Sequence, residues 1–299
     1  MRKEILNAGL LKMEQSSVII CSIVRDCNTN LKKNILRIEK LREFFGKSKV
    51  VIFENDSVDG TKETLARWEN DSKQILVCTQ DTGTKTIPTH ELGGVNKYFS
   101  KTRISKMAEY RNKYMEVINN EQEYKADYVI IVDLDVAKIS IDGIAHSFGV
   151  ADQWDVITAN GYTYFPSLRK RYYDAYALVE MGKQEIPQTE MSIARNRIIW
   201  STFKTGMPLI PVYSAHGGLS IFRYEAIVNR KYRLISNRDK RVEVRCEHYS
   251  MCHDIREAGY SRIFVNPNMS LRYLSFSWKS AQKFLNSKIN MILAYSKKW

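Results

Sequence analysis

The sequence predicts an α/β fold around a mixed, mainly parallel sheet, and three observations carry that reading. Short β-branched runs alternate with helix-period segments through residues 17–132. Those runs end in polar residues rather than in hairpin turns, so successive strands are joined by crossover helices. No internal repeat or low-complexity tract interrupts the 299 residues.

Residues 1–16 read as an N-terminal arm. Residues 17–24 (SVIICSIV) are apolar and stop at the polar Arg25-Asp26-Cys27-Asn28, which is a buried strand running into a loop. Residues 31–45 set Leu31, Ile35, Ile38, Leu41 and Phe45 at helical spacing. Residues 50–53 (VVIF) form a second strand ending at Glu54-Asn55-Asp56-Ser57, and Asp59-Gly60 leads into a helix over 61–68. Residues 75–78 form a third strand, followed by about twenty residues of loop that carry Gly83, Pro88, Gly93 and Gly94. A helix over 104–118 and the apolar strand 128–132 complete a nucleotide-binding half, 17–160, whose ligands belong at the carboxyl ends of the strands. In the half that follows, 161–275, a strand is expected near 155–158, just before it, then a loop with a short helix over 169–182, a strand over 217–222 and a helix over 247–258 ended by Gly259.

A hydrophobic content of 44% with 11% aromatics excludes disorder, and the length supports one large domain or two smaller ones. No run approaches the roughly 18 apolar residues that span a bilayer, and the acidic residues near the start do not suit a signal peptide. A soluble, cytoplasmic protein is expected. The five cysteines fit no zinc or redox spacing and read as reduced, mostly buried thiols. The net charge of +13 is uneven: residues 1–160 hold 23 basic and 23 acidic side chains, and residues 161–299 hold 23 and 10. Nucleic acid, an anionic membrane face or a phosphate-bearing substrate each suit that excess.

Asp133-Leu134-Asp135 follows the strand 128–132 directly. In an extended chain, two carboxylates two apart project to one side, here at the ligand end of the sheet. Two hard oxygen donors there suit Mn²⁺ or Mg²⁺ completed by substrate phosphates and water. The Glu54–Thr61 segment ends the second strand in side chains that can bond a base or ribose, or simply cap the next helix. Arg103 and Arg111 lie on related turns of one helix and can clamp a diphosphate; an ordinary solvated helix face is the alternative.

Taken together these segments resemble metal-dependent glycosyltransferases of the GT-A fold, in particular the fungal capsule-associated mannosyltransferases. The shared landmarks are V-I-x-E-N-D-S-x-D-G-T at 51–61, R-I-x-x-M-A-E-x-R-N at 103–112, the D-L-D pair, Tyr172-Tyr173-Asp174-Ala175-Tyr176-Ala177 with Tyr176 in place of a tryptophan, and His216-Gly217-Gly218-Leu219-Ser220-Ile221-Phe222. Their order along about two thirds of the chain is more specific than any one of them. The resemblance implies a GT-A-like Rossmann-type α/β/α sandwich with a mixed, mainly parallel central sheet. It implies that Ser22, Val24, Arg25, Glu54, Asn55, Ser57 and Asp59, with Arg103 and Arg111, hold the donor nucleotide, that Asp133 meets ribose or metal, and that Asp135 is the main metal ligand. Tyr172, Tyr173, Asp174, Gly217 and Gly218 then border the sugar and acceptor.

The segment Glu247-His248-Tyr249 through Gly259-Tyr260 is similar in spacing to the E-D-x-D-L…R-L-x-x-A-G-Y helix of many inverting GT-A enzymes, whose acidic pair supplies the acceptor base. His248 stands where the aspartate belongs, so the base role rests on Glu247, unless the enzyme is retaining and needs none. His248 and His253 are candidates to complete the metal shell, as a later histidine does in many GT-A enzymes. The resemblance thus implies transfer of a hexose such as mannose from a nucleotide-sugar donor to a glycan or lipid-linked acceptor, in the assembly of surface polysaccharide or glycolipid.

Two other classes compete. A haloacid-dehalogenase-like phosphatase also sets D-x-D after a strand, but near the start of its domain and with Thr or Val where Ala137 stands here. A non-enzymatic nucleic-acid-binding protein would use basic clusters such as Arg169-Lys170-Arg171, yet no binding motif accompanies them. Residues 276–299 carry five lysines, no acids and scattered aromatics, and read as a basic amphipathic segment resting on anionic lipid or as a helix docked on the core. With the donor half neutral, the charge points to an acidic or lipid-linked acceptor and to peripheral contact with the cytoplasmic membrane face, and no nucleic-acid partner is expected.

Overall fold

The computed structural model describes residues 2–89, 93–164 and 169–274. Eleven strands, β1 (Ser17–Val24), β2 (Lys47–Glu54), β3 (Ile75–Thr79), β4 (Tyr128–Val132), β5 (Lys138–Ile139), β6 (Val156–Thr163), β7 (Arg171–Tyr172), β8 (Val179–Glu180), β9 (Ile210–Ser214), β10 (Leu219–Arg223) and β11 (Ile263–Arg272), join one sheet. Its order is β3-β2-β1-β4-β10-β6-β11-β9-β8, with β5 on β11 and β7 on β6. β3, β2, β1, β4, β6 and β11 run one way, and β10, between β4 and β6, runs against them.

Period-two alternation divides the strands between two cores. Ile19, Cys21, Val129 and Ile131 face one layer, with Ile104, Met115 and Ile118 of α4 (Lys101–Asn120) and Met251 and Ile255 of α8 (Glu247–Glu257). Val18, Ile20, Ile130 and Val132 face the other, against Leu31 and Ile38 of α2 (Asn28–Arg42), Leu65 and Trp68 of α3 (Thr61–Asn70), and Ile144 and Phe148 of α5 (Ile141–Phe148). Because β1 and β4 are covered on both faces, they read as unbroken apolar runs. Truncating one of these side chains, as in Ile131→Ala, costs about 2–5 kcal/mol. The result is an α/β/α sandwich with a mixed, mainly parallel central sheet.

The first sixteen residues are mostly helix: α1 (Arg2–Glu14) lies on α5, with Gly9 against the Ala145 carbonyl and Gly149 against the Ile5 carbonyl. A Cβ at either glycine would collide with backbone, which is how close the two helices approach. Two expectations differ from the structure. Residues 171–180 hold no helix but the short strands β7 and β8 joined by a turn. Strand β11 went unread because Asn266-Pro267-Asn268 breaks its apolar pattern; the register shifts there, and Asn266 Nδ2 is satisfied by Ser147 Oγ at 2.9 Å. Two helices, α6 (Glu190–Ile199) and α7 (Tyr224–Ile227), complete the body. All five cysteines are free thiols, four of them buried. No helix among the described residues is long and apolar enough to cross a membrane, and the segment 276–299 lies outside them.

Candidate active site

Asp133 and Asp135 sit in the turn that leaves β4 at its carboxyl end, on the floor of a cleft of ≈ 370 Å³. Leu134 between them is 1% exposed and packs into the core. The turn is anchored on both sides. Asp133 N–H donates to the Gly218 carbonyl at 2.9 Å, while Asn34 Nδ2 holds the Leu134 and Val136 carbonyls at 2.7 and 2.8 Å.

Two tyrosines, stacked on each other at 4.1 Å and 11°, serve one aspartate each. Tyr173 Oη donates to Asp133 Oδ2 at 3.2 Å, and Tyr273 donates to Asp135. Burial and the neighbouring Asp133 charge push the Asp135 carboxyl up to about 7. Burial also raises Asp133, but His216, Arg111 and the Tyr173 hydroxyl outweigh it and hold that carboxyl below its ordinary value.

The far wall is charged. Arg111, from α4, donates Nε to Glu247 Oε1 at 3.0 Å, and its Nη2 lies 4.0 Å from Asp133 Oδ1. Burial raises Glu247, yet Arg111 and Arg103 more than offset it and keep the carboxylate ionised. Cys246 Sγ donates to Glu247 Oε2 at 3.3 Å. His216 and His248 stack at 3.9 Å; His216 Nε2 lies 3.4 Å from Asp133 Oδ1, and the buried His248 Nε2 has no hydrogen-bond partner. Asp174 lines the cleft with left-handed backbone at φ 61°, and burial pushes its carboxyl up to about 7.

Val24, Arg25, Asn55, Arg103, Arg111, Tyr173 and Glu247 also line the cleft, along with the aspartates. Others expected at the site do other work. Ser22 is 1% exposed inside β1 and its hydroxyl bonds the Ile23 carbonyl. Glu54 accepts Ser57 N–H at 2.8 Å, Ser57 Oγ accepts Asp26 N–H, and Asp59 caps both Thr61 and Asn28, so these side chains stitch the strand-end loops together. Tyr172 is a core residue against Trp200, because alternation along β7 sends it to the face opposite Tyr173. Gly217 and Gly218 act through backbone: at φ 64° Gly217 packs so closely on the Ala159 carbonyl that a Cβ would collide with it. His253 is turned away from the cleft, its Nδ1 bonded to Tyr213 Oη at 2.8 Å.

Sequence reasoning missed Thr86, Ile87, Met107, Tyr110, Tyr273 and the site role of His216. His216 carried a signal, as it opens the glycine pair; Tyr273 carried none, because it follows a strand whose apolar pattern is broken. Loop 82–87 is placed by Asp56, whose Oδ1 accepts Thr82 and Gly83 N–H at 2.8 and 2.7 Å.

No group of three or more His, Cys, Asp or Glu converges as a metal cage among the described residues. Two carboxylates are what a Mg²⁺- or Mn²⁺-type site asks of the protein when phosphates and water supply the rest. Burial first, and then the Asp133 charge, disfavour an ionised Asp135, a cost that a divalent cation held between the two carboxylates would offset, so the donor set fits the ion.

The profile of a family described as Cryptococcal mannosyltransferase 1 matches residues 17–254. No curated protein matches the chain. Similar solved structures include mannosyltransferase PcManGT from Pyrobaculum calidifontis in complex with GDP-Man and Mn²⁺, at 13% identity over 91% of this chain and 68% of that one, TM-score 0.46. TarS 1–349 of S. aureus matches at 13% identity over 86% of this chain and 60% of that one, TM-score 0.45. Glucosyl-3-phosphoglycerate synthase of Mycobacterium tuberculosis, with Mn²⁺, UDP and glucosyl-3-phosphoglycerate, matches at 8% identity over 97% and 83%, TM-score 0.48.

Proposed function

This chain belongs to the Cryptococcal mannosyltransferase 1 family of glycosyltransferases, and from that premise we propose that its cleft transfers a hexose, mannose in the first instance, from a nucleotide sugar to a glycan or lipid-linked acceptor in surface polysaccharide or glycolipid assembly. The observation that carries the reading is the Asp133/Asp135 pair, held by two tyrosines at the carboxyl end of β4 on the floor of the cleft.

The donor lies along Val24, Arg25, Asn55 and Arg103. Arg103 Nε is buried without a partner, which suits a diphosphate oxygen. Asp133 and Asp135 would hold Mn²⁺ or Mg²⁺, which would supply Lewis-acid neutralisation of the charge on a departing nucleoside diphosphate. Arg111 adds a second positive charge beside Asp133 and fixes Glu247 in the wall. The Glu247 carboxylate, kept ionised there, is the base for the acceptor hydroxyl. A specific observation favours Asp174 for that role instead: its carboxyl is held near 7 and accepts no hydrogen bond among the described residues, whereas both Glu247 oxygens are engaged. The acceptor half carries the positive charge, and we place the enzyme peripherally on the cytoplasmic membrane face.

A thermal-shift panel of GDP-mannose, UDP-glucose and UDP-N-acetylglucosamine, with and without Mn²⁺, tests the reading. One sugar nucleotide must raise the melting temperature in a Mn²⁺-dependent way; no response to any of them sinks it.

A further inference from the structure

Residues 245–249 separate two cavities. Cys246, Glu247 and His248 line the active cleft, whereas Arg245 and Tyr249 line a second depression of ≈ 280 Å³ with Gln184, Arg238 and His253. Arg245 is only 4% exposed, and no carboxylate among the described residues pairs with it. Its Nη2 donates to the Gln184 and Ile186 carbonyls at 3.0 and 2.6 Å, and its guanidinium lies 5.1 Å from the Tyr249 ring centroid. Its Nη1 is buried with no partner. Arg111, Arg233 and Arg262 are answered by carboxylates, from Glu247, Asp254 and Asp155 respectively. A buried cation lacking a counter-charge is costly and is stabilised by an incoming anion.

Arg238 adds a second, independent sign. It is exposed, has no ion pair among the described residues, and is held in left-handed backbone at φ 56°. Its loop is pinned by Asn237, 2% exposed, whose Nδ2 bonds the Gln188 and Val242 carbonyls at 2.7 Å each. Such a conformation persists in a non-glycine residue only where its surroundings impose it. Exposed Glu185 is the acidic residue at the rim.

We propose that this depression is an anion-binding subsite, centred on Arg245 and Arg238, that takes a carboxylate or phosphate group carried by the acceptor. That the anion belongs to an acceptor rests on the glycosyl-transfer reading; that the site binds an oxyanion does not.

Isothermal titration of the full chain with tetragalacturonate, neutral maltotetraose and inorganic phosphate tests it. Tetragalacturonate binds and maltotetraose does not, and Arg238→Gln and Arg245→Gln each weaken the acidic ligand by about tenfold or more. Arg238→Gln, at an exposed position, carries the test if Arg245→Gln does not fold. Unchanged affinity in the variants, or equal binding of the neutral sugar, overturns the proposal. Phosphate binding lost in the same variants without a response to tetragalacturonate assigns the anion to a phosphate group. A Mn²⁺-dependent donor shift with no anion binding removes the subsite and keeps the transferase; anion binding with no donor shift does the reverse.

Discussion

Arg111 Nε donates to Glu247 Oε1 at 3.0 Å across 136 positions of sequence, with side chains only 5% and 4% exposed. The pair joins α4 to the first turn of α8, and through Arg111 Nη2 it reaches Asp133. It therefore ties the proposed base to the proposed metal-bearing turn.

Breaking this pair from one side leaves a buried charge alone. Arg111→Met is expected to lose about 3–5 kcal/mol of stability, and the double variant Arg111→Met/Glu247→Leu to recover much of it, because both charges are then gone. Urea midpoints measure this, and equal losses in single and double variants would contradict the pairing.

Asp135→Asn is expected to lower transfer by about a thousandfold or more while the fold is kept. In the metal-free protein its stability effect follows from the sign of the shift. A carboxyl near 7 when folded and about 4 when unfolded binds extra protons in the native state, so stability falls as pH rises from about 4 through about 7. Asn removes that share of the slope, leaving the share from Asp174. Urea midpoints at pH 5 and pH 8 for both proteins read the difference.

Glu247→Gln and Asp174→Asn decide the base. The true base variant should lose about a hundredfold to ten-thousandfold in kcat, and the acidic limb of its pH–rate profile should vanish. If that limb survives in both variants, neither carboxylate deprotonates the acceptor.

Asp56→Asn probes the rim. Burial raises this carboxyl, but hydrogen bonds from Gly83, Asn55 and Thr82 hold it down at about 2. A depressed carboxyl contributes stability above its unfolded value near 4 and loses it as pH falls through about 2. The variant should lose about 1–3 kcal/mol and raise donor KM, because Thr86 and Ile87 on the same loop line the cleft. An unchanged KM would show that the loop does not need Asp56.

Much of this molecule is written locally. The runs at 17–24 and 128–132 mark their strands because a strand buried on both faces must be apolar throughout, and the D-L-D pair is legible because it ends one of them. Strand β11 was hidden by buried asparagines that find partners far away in sequence, Asn266 with His146 and Ser147 of α5 and Asn268 with the Met207 carbonyl and Gly206 N–H. In the 54–59 segment residue type alone did not separate a ligand contact from a cap; the structure spends Ser57 and Asp59 on capping and turns Asn55 to the cleft.

By itself, the sequence determined the α/β layering, the strand ends that carry chemistry and the family. Only the tertiary structure decided that Tyr173 and Tyr273 share the aspartates, that His216 rather than His253 stands beside them, and that Arg111 answers Glu247. The physical reason is range. Periodicity reports which face of a segment is apolar, whereas convergence of side chains depends on sheet order and on contacts between segments a hundred residues apart.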